Sequence, residues 1–283
     1  MTNFIFAGDK LVPFSKARYS PFNSALFFGE GLIETIPVYG GVPLFLGDHI
    51  DRIGKGCEFL GWASVSSKRF KRAIRLFSER LDTHAQFAVR FNLVQEMGPC
   101  SNIFDFPAAV PKMFATVRPI RHNPANFTPS FGNVGICSWK VLGPQSGPRS
   151  FKWNFYMMVR QEFRVHADWD EMLCLNDDGY VADAAGSSPL WFTNRTVFVP
   201  PRRLGGLDGI TRRKVQELCC KLGLKVIEKP WRPVEVFREG ELVLVGSGVG
   251  IMGVSRIQGK ALKTKNTFAL RLWQHYREWT SGG

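Results

Sequence analysis

This sequence predicts a mixed α/β fold in two domains, for three reasons. Strand-like stretches of period two alternate with helix-like stretches of period 3.6 along the whole chain. At 283 residues the chain is long enough for one large or two modest domains. Between the two halves, Arg121-His122-Asn123-Pro124-Ala125-Asn126 has turn formers and no periodicity. That places a linker at 121–126 between an N-terminal α/β domain, 1–120, and a C-terminal domain, 127–283.

Composition narrows the class of function. No apolar run approaches the roughly 18 residues that a membrane span needs, and the opening MTNFIFAGDKLVPF lacks a basic region ahead of an apolar core, so neither a membrane partner nor a secretory signal is expected. Six cysteines show no CxxC and no histidines at metal spacing, so no metal is expected, and a reducing cytoplasm fits best. The formal charge of +13 invites a nucleic-acid reading. The basic residues are scattered, however, and the cluster Lys68, Arg69, Lys71 and Arg72 interleaves with Phe70, Ala73, Ile74 and Phe77 as the solvated face of a helix. No nucleic-acid partner is expected.

In the first domain, residues 3–14 read as a hairpin around Gly8-Asp9, followed by a loop with Pro21 and Asn23. Strands Leu32–Tyr39 and Val42–Leu46 are joined by Gly40-Gly41, a good two-residue turn. Asp48 is expected to cap the next helix, on which His49, Arg52 and Ile53 fall at i, i+3 and i+4. Phe70 to Leu81 marks a second amphipathic helix. QFAVRFNLV alternates strictly, with Arg90 and Asn92 on its polar side, where an arginine faces either solvent or an anion in a cleft. An irregular loop over 98–112 and a strand over Phe114–Ile120 complete the domain.

The second domain opens with a strand at Val134–Trp139 and the loop LGPQSGPR. Lys152 then begins a helical stretch, and a strand (Glu171 to Asn176), a turn (Asp177-Asp178-Gly179) and a second strand deliver Asp183 into a small-residue loop. On the residues alone, Lys152 and Asp183 read as a surface ion pair or as parts of a site. After short strands in LWFTN and RTVFVPP, the glycines 205, 206 and 209 lead into a helix from about Ile210 to Leu222. A glycine loop ahead of a helix N-terminus offers backbone N–H groups and the positive end of the dipole to a phosphate, though it often marks only a turn. A strand (Lys225–Glu228), a short helix near Val234–Phe237, a strand (Leu242–Val245), a glycine-rich turn with Ser247, and a helix from about 267 to 279 follow.

Taken in order, these pieces resemble the class IV (fold-type IV) pyridoxal-phosphate enzymes, the group of branched-chain aminotransferases, D-amino-acid aminotransferases and aminodeoxychorismate lyase. FGEGLIETI resembles the signature GDG-x-FE, DHIDRI resembles H-x-x-R-L, and GYVADAAGSS resembles G-x-V-x-E-x-x-x-S-N. VPPRRLGGLDGITRR resembles T-P-P…G-x-L-x-G-I-T-R, the most specific match, and LVGSGVGIMGV resembles the segment that ends the phosphate site. The resemblance implies a homodimer with a barrel-like C-terminal α/β domain and pyridoxal 5′-phosphate in the cleft between the domains. It implies that Lys152 is the Schiff-base lysine, with Lys140 as runner-up, and that Asp183 faces the ring nitrogen where the family typically has Glu. It gives the phosphate to Arg52, Ile210, Thr211, Ser247 and Gly248, and a ring-oxygen hydrogen bond to Tyr156. Arg90 and Ile33 fall on the substrate side, for an amino acid and its keto acid.

The sequence also departs from the family pattern. Ser188 stands where Asn is usual, Phe155 where Asn or a polar residue is usual, Ile33 in place of an aromatic, and Gly253 in place of a proline. No T-R-G follows the Arg90 strand, and no R-x-H of the kind that holds the substrate carboxylate in D-amino-acid aminotransferases is found. Three functions stay open: an aminotransferase, an elimination of the aminodeoxychorismate lyase type giving 4-aminobenzoate and pyruvate, and a homologue that binds the cofactor with impaired catalysis. GITR leans towards the first, Thr35 and the excess of basic residues towards the second, Asp183 and Ser188 towards the third.

Overall fold

The computed structural model describes residues 3–81, 86–97, 110–120, 131–141, 153–265 and 267–280, with the side chains of 131 and 153–157 excepted. The chain forms two compact units, one built on residues between 3 and 120, the other on residues 131–141 and from 155 onward.

In the first unit, β1 (Phe4–Ala7) and β2 (Lys10–Pro13) form the expected hairpin, with Gly8 and Asp9 both at positive φ in the turn. The expected loop at Asn23 contains a short helix, α1 (Ser24–Phe28), because the Asn23 side chain accepts the Leu26 N–H and caps it. β3 (Leu32–Tyr39) turns at Gly40-Gly41 into β4, which is only Val42–Pro43. The shortening corrects two expectations. The chain turns into α2 (Leu46–Phe59) through Phe45, which takes a left-handed conformation, so the helix starts before Asp48 and no side chain caps it. Asp48 instead sits in the first turn, where its charge favours the positive end of the dipole. α3 (Ser67–Leu81), β5 (Phe87–Val94) and β6 (Lys112–Pro119) follow.

The strands make one antiparallel sheet in the order β2-β1-β6-β5-β3-β4. Leu32, Ile36 and Val38 of β3 and Val89, Phe91 and Leu93 of β5 pack under Ile53 and Cys57 of α2 and Phe70, Ile74 and Phe77 of α3. Strict alternation therefore puts Ile33, Thr35, Arg90 and Asn92 on the opposite face, where Thr35 pairs with Arg90 and Ile33 with Asn92.

The second unit contains β7 (Phe131–Ile136), α4 (Trp153–Val165), β8 (Glu171–Leu175), β9 (Val181–Ala184), β10 (Ser188–Thr193), β11 (Thr196–Val199), α5 (Ile210–Lys221), β12 (Lys225–Glu228), α6 (Pro233–Val236), β13 (Glu241–Gly246), β14 (Gly250–Ile257), β15 (Lys260–Ala261) and α7 (Thr267–Thr280). β7 ends three residues earlier than expected, at Ile136. A mixed sheet runs in the order β12-β11-β10-β13-β14-β7-β8-β9, with β15 on β14. β9 and β10 lie far apart in that order, yet only residues 185–187 join them, and the Ala184 N–H bonds the Ser187 carbonyl across the bend at 3.1 Å. The sheet therefore curls back on itself into a half-barrel. β8 is buried on both faces, which is why it reads as the apolar run Met-Leu-Cys-Leu instead of alternating.

Candidate active site

The candidate residues of the second unit gather where three turns meet. β9 carries Asp183, which is 3% exposed, and the 185–187 bend carries the chain to Ser188 at the start of β10. Ser188 pairs with Val245 of β13, one residue before the turn that holds Ser247 and Gly248. The third turn leads into α5. The Leu207 N–H there donates to Asp183 Oδ2 at 2.8 Å, and Ile210 and Thr211 are buried in the first helical turn.

Glycines allow the three turns to approach so closely. A Cβ on Gly206 would stand 2.3 Å from the Ala182 carbonyl oxygen, and one on Gly209 would stand 2.9 Å from Ser188 Oγ. A Cβ on Gly246 would meet the Gly186 oxygen and Ser187 Cα, both at 3.3 Å. Gly209 is the N-cap of α5 and has no side chain to bond the first-turn N–H groups, so those donors suit an anion from outside the chain. A dianionic phosphate fits such a donor set, and the buried Asp183 carboxylate beside it fits a ring nitrogen that must stay protonated.

Two buried charged residues to which the sequence reading gave no role of their own complete this region. Glu171, at the head of β8, is 4% exposed and accepts the Met172 N–H on Oε1 (3.0 Å), with the Gly186 N–H (3.1 Å) and the Ser187 hydroxyl (3.0 Å) on Oε2. Burial raises its carboxyl above the usual range despite those donors, and the nearby Asp183 charge pushes the same way. Arg212, in the first turn of α5, donates to the Pro200 carbonyl at 2.8 Å and has the Asp183 charge in its field.

In the first unit, Arg52 does not stand alone. Its Nε donates to Glu34 Oε1 at 2.6 Å and its Nη2 to Oε2 at 2.7 Å, while His49 Nδ1 lies 2.7 Å from Oε2. Glu34 is on the helix-facing side of β3 and 3% exposed. Burial acts to raise its carboxyl, but the Arg52 charge and the bonds from His49 and Arg52 outweigh burial and hold it below the usual carboxylate value. Glu34 was also missed, although its parity with Leu32 and Ile36 marks it as an acid on a core face. On the other face of the sheet Arg90 is exposed and its Nε donates to Asn92 Oδ1 at 3.3 Å, with half-buried Ile33 and Thr35 beside it. Arg52 and Arg90 thus belong to opposite faces. Lys152 lies outside the described residues, as does the side chain of Tyr156, whose backbone falls in α4. Lys140 is exposed.

The family model for amino-transferase class IV matches residues 31–257. The chain belongs to the class IV aminotransferase family. That class IV span takes in every candidate residue named above. Among curated class IV relatives, a Methanocaldococcus jannaschii protein named as a branched-chain-amino-acid aminotransferase is 25% identical over 267 residues, covering 92% of this chain and 90% of the relative. The aminodeoxychorismate lyase of Bacillus subtilis is 25% identical over 242 residues, covering 78% and 75%. The class IV fold is seen in the branched-chain aminotransferase of Thermobaculum terrenum in its PLP form, which superposes with a TM-score of 0.84 at 19% identity over 99% of this chain and 94% of that one. The half-barrel therefore belongs to a known enzyme fold.

Proposed function

We propose that this chain is a pyridoxal-phosphate-dependent aminotransferase acting on an amino acid. The observation that carries the reading is the meeting of buried Asp183 with the uncapped N-terminus of α5, joined by the 2.8 Å bond from Leu207. Bound there, the cofactor supplies an electron sink for the substrate Cα. Asp183 holds a proton on the ring nitrogen. The Ile210 and Thr211 N–H groups, the Thr211 hydroxyl, Ser247 and the Gly248 N–H hold the phosphate, and the H-x-x-R-L motif assigns Arg52 to the same group. Tyr156 bonds the ring oxygen. Lys152 would hold the cofactor at its aldehyde carbon and, as a free amine once the substrate amine has taken its place there, would accept and return the proton at the substrate Cα. Arg90, with Ile33 beside it on the same sheet face, takes a substrate carboxylate. By the same resemblance the enzyme is a homodimer, and its cysteine usage fits a reducing cytoplasm.

The curated relatives support this reading, and a Thermobaculum terrenum neighbour in the fold holds PLP. The lyase reading is retained because Thr35 pairs with Arg90 on the same sheet face, and because the Bacillus subtilis lyase covers most of this chain. The experiment is spectroscopic. Purified protein with pyridoxal phosphate is expected to show a visible band that borohydride removes and that Lys152→Ala lacks. A colourless protein that ignores the cofactor contradicts both enzyme readings. Given the band, bleaching by an amino acid alone marks the aminotransferase. Pyruvate release from aminodeoxychorismate without a keto acid marks the lyase.

A further inference from the structure

We propose that Glu171 is a positioning residue: by holding the Gly186-Ser187 bend it sets where the Ser247–Gly248 turn stands, and so how tightly the site grips a phosphate. The proposal rests on the reading above. Glu171 is the one acid in a strand whose other members are Met172, Leu173, Cys174 and Leu175, all buried. Burying a carboxyl costs several kcal/mol unless it is well bonded, and here every bond comes from a neutral donor. An apolar side chain would suit this position better for stability alone.

Two of those donors belong to the bend. The Gly186 N–H and the Ser187 hydroxyl both converge on Glu171 Oε2, and a Cβ on Gly186 would come within 3.3 Å of that oxygen. The bend is tied from behind as well, since the Ala185 N–H bonds the Met172 carbonyl at 2.9 Å. On its far side the bend abuts Gly246, where a Cβ would meet the Gly186 oxygen and Ser187 Cα at 3.3 Å and Ser187 Cβ at 3.5 Å. Gly246 is the last residue of β13 and pairs with Gly250, so it frames the Ser247–Gly248 turn. A contact this tight passes a shift of the bend on to the turn. Asp183 is reached less directly, being fixed separately by Leu207.

The test compares pyridoxal phosphate with pyridoxal, which lacks the phosphate. The full-length protein is stripped of cofactor, and both ligands are titrated by absorbance and fluorescence into the wild type, Glu171→Gln and Ser187→Ala. Both variants are expected to bind pyridoxal phosphate about tenfold more weakly while pyridoxal changes by less than about twofold. The preference for the phosphate ester therefore narrows, which a general loss of stability would not produce. If Glu171→Gln does not fold, Ser187→Ala decides, because it removes one bond from the carboxyl and leaves the carboxyl itself in place. Variants that lose both ligands equally, or neither, overturn the proposal. A wild type that binds neither ligand overturns the functional reading itself; a wild type that binds normally beside unaffected variants overturns this proposal alone.

Discussion

Glu34 and Glu171 are two glutamates at 3% and 4% exposure, one in each unit, and the protein treats them in opposite ways. Glu34 meets an arginine and a histidine, and its carboxyl is held low. Glu171 meets only neutral donors, with Asp183 as a like charge nearby, and burial pushes it high. The first unit keeps its acid by charge pairing, the second by close backbone approach. The two regions should therefore fail to different insults, charge removal in one and crowding in the other.

The largest effect is expected from Glu34→Ala. It leaves the Arg52 edge and His49 without their shared acceptor, and breaking a buried pair from one side costs about 3–5 kcal/mol. Urea unfolding at neutral pH measures this, and a cost no larger than that of an exposed pair such as Arg75–Glu79 would contradict the charge-pairing account. Crowding comes next. Gly206→Ala places a methyl 2.3 Å from the backbone oxygen of Ala182, so the lead-in to α5 must move, at about 1–3 kcal/mol. The same shift draws the Leu207 N–H off Asp183, so weaker cofactor binding is expected alongside the loss in stability. Gly209→Ala should cost less, below about 1 kcal/mol, because the atom it meets is the Ser188 hydroxyl, which can swing aside.

The smallest effect is the sharpest on the comparison. A carboxyl held low contributes stability that is complete above its ordinary value and is lost as pH falls through the lowered one. A carboxyl held high works the other way: the folded state binds its proton more tightly, so stability declines as pH rises through the interval from the ordinary to the raised value. Glu34→Gln should therefore cost more at neutral pH than in acid, and Glu171→Gln should cost less at neutral pH than in acid. Denaturant unfolding at two pH values for both variants checks this. Slopes of the same sign would show that the two environments do not differ as described.

Much of the fold was legible because its signals are local. Period-two stretches marked β3 and β5, and the glycine loop before Ile210 marked the start of α5. Motif resemblance singled out Asp183, Ile210, Thr211, Ser247 and Gly248, which the fold brings to one set of turns. The errors come from competition that a local pattern does not show. Asp48 looked like a cap, but Phe45 takes the left-handed conformation and starts the helix earlier. The half-barrel, by contrast, was legible only through the family resemblance, because its closure through the 185–187 bend depends on long-range strand order that no single stretch displays. Glu34 had a readable signal in its core parity. Glu171 had a fainter one, an acid at the head of an otherwise apolar strand; its contact with Gly186 and Ser187, fifteen and sixteen residues on, had none.

The central claim, that this site holds pyridoxal phosphate on Lys152, is tested most directly by locating the bond. The protein is loaded with pyridoxal phosphate and reduced with borohydride, which fixes the cofactor to its lysine as a stable amine, then digested and mapped by peptide mass. The phosphopyridoxyl group is expected on the peptide carrying Lys152, and nowhere in Lys152→Ala. A label on Lys140, a label spread over surface lysines, or an unchanged pattern in Lys152→Ala would contradict it.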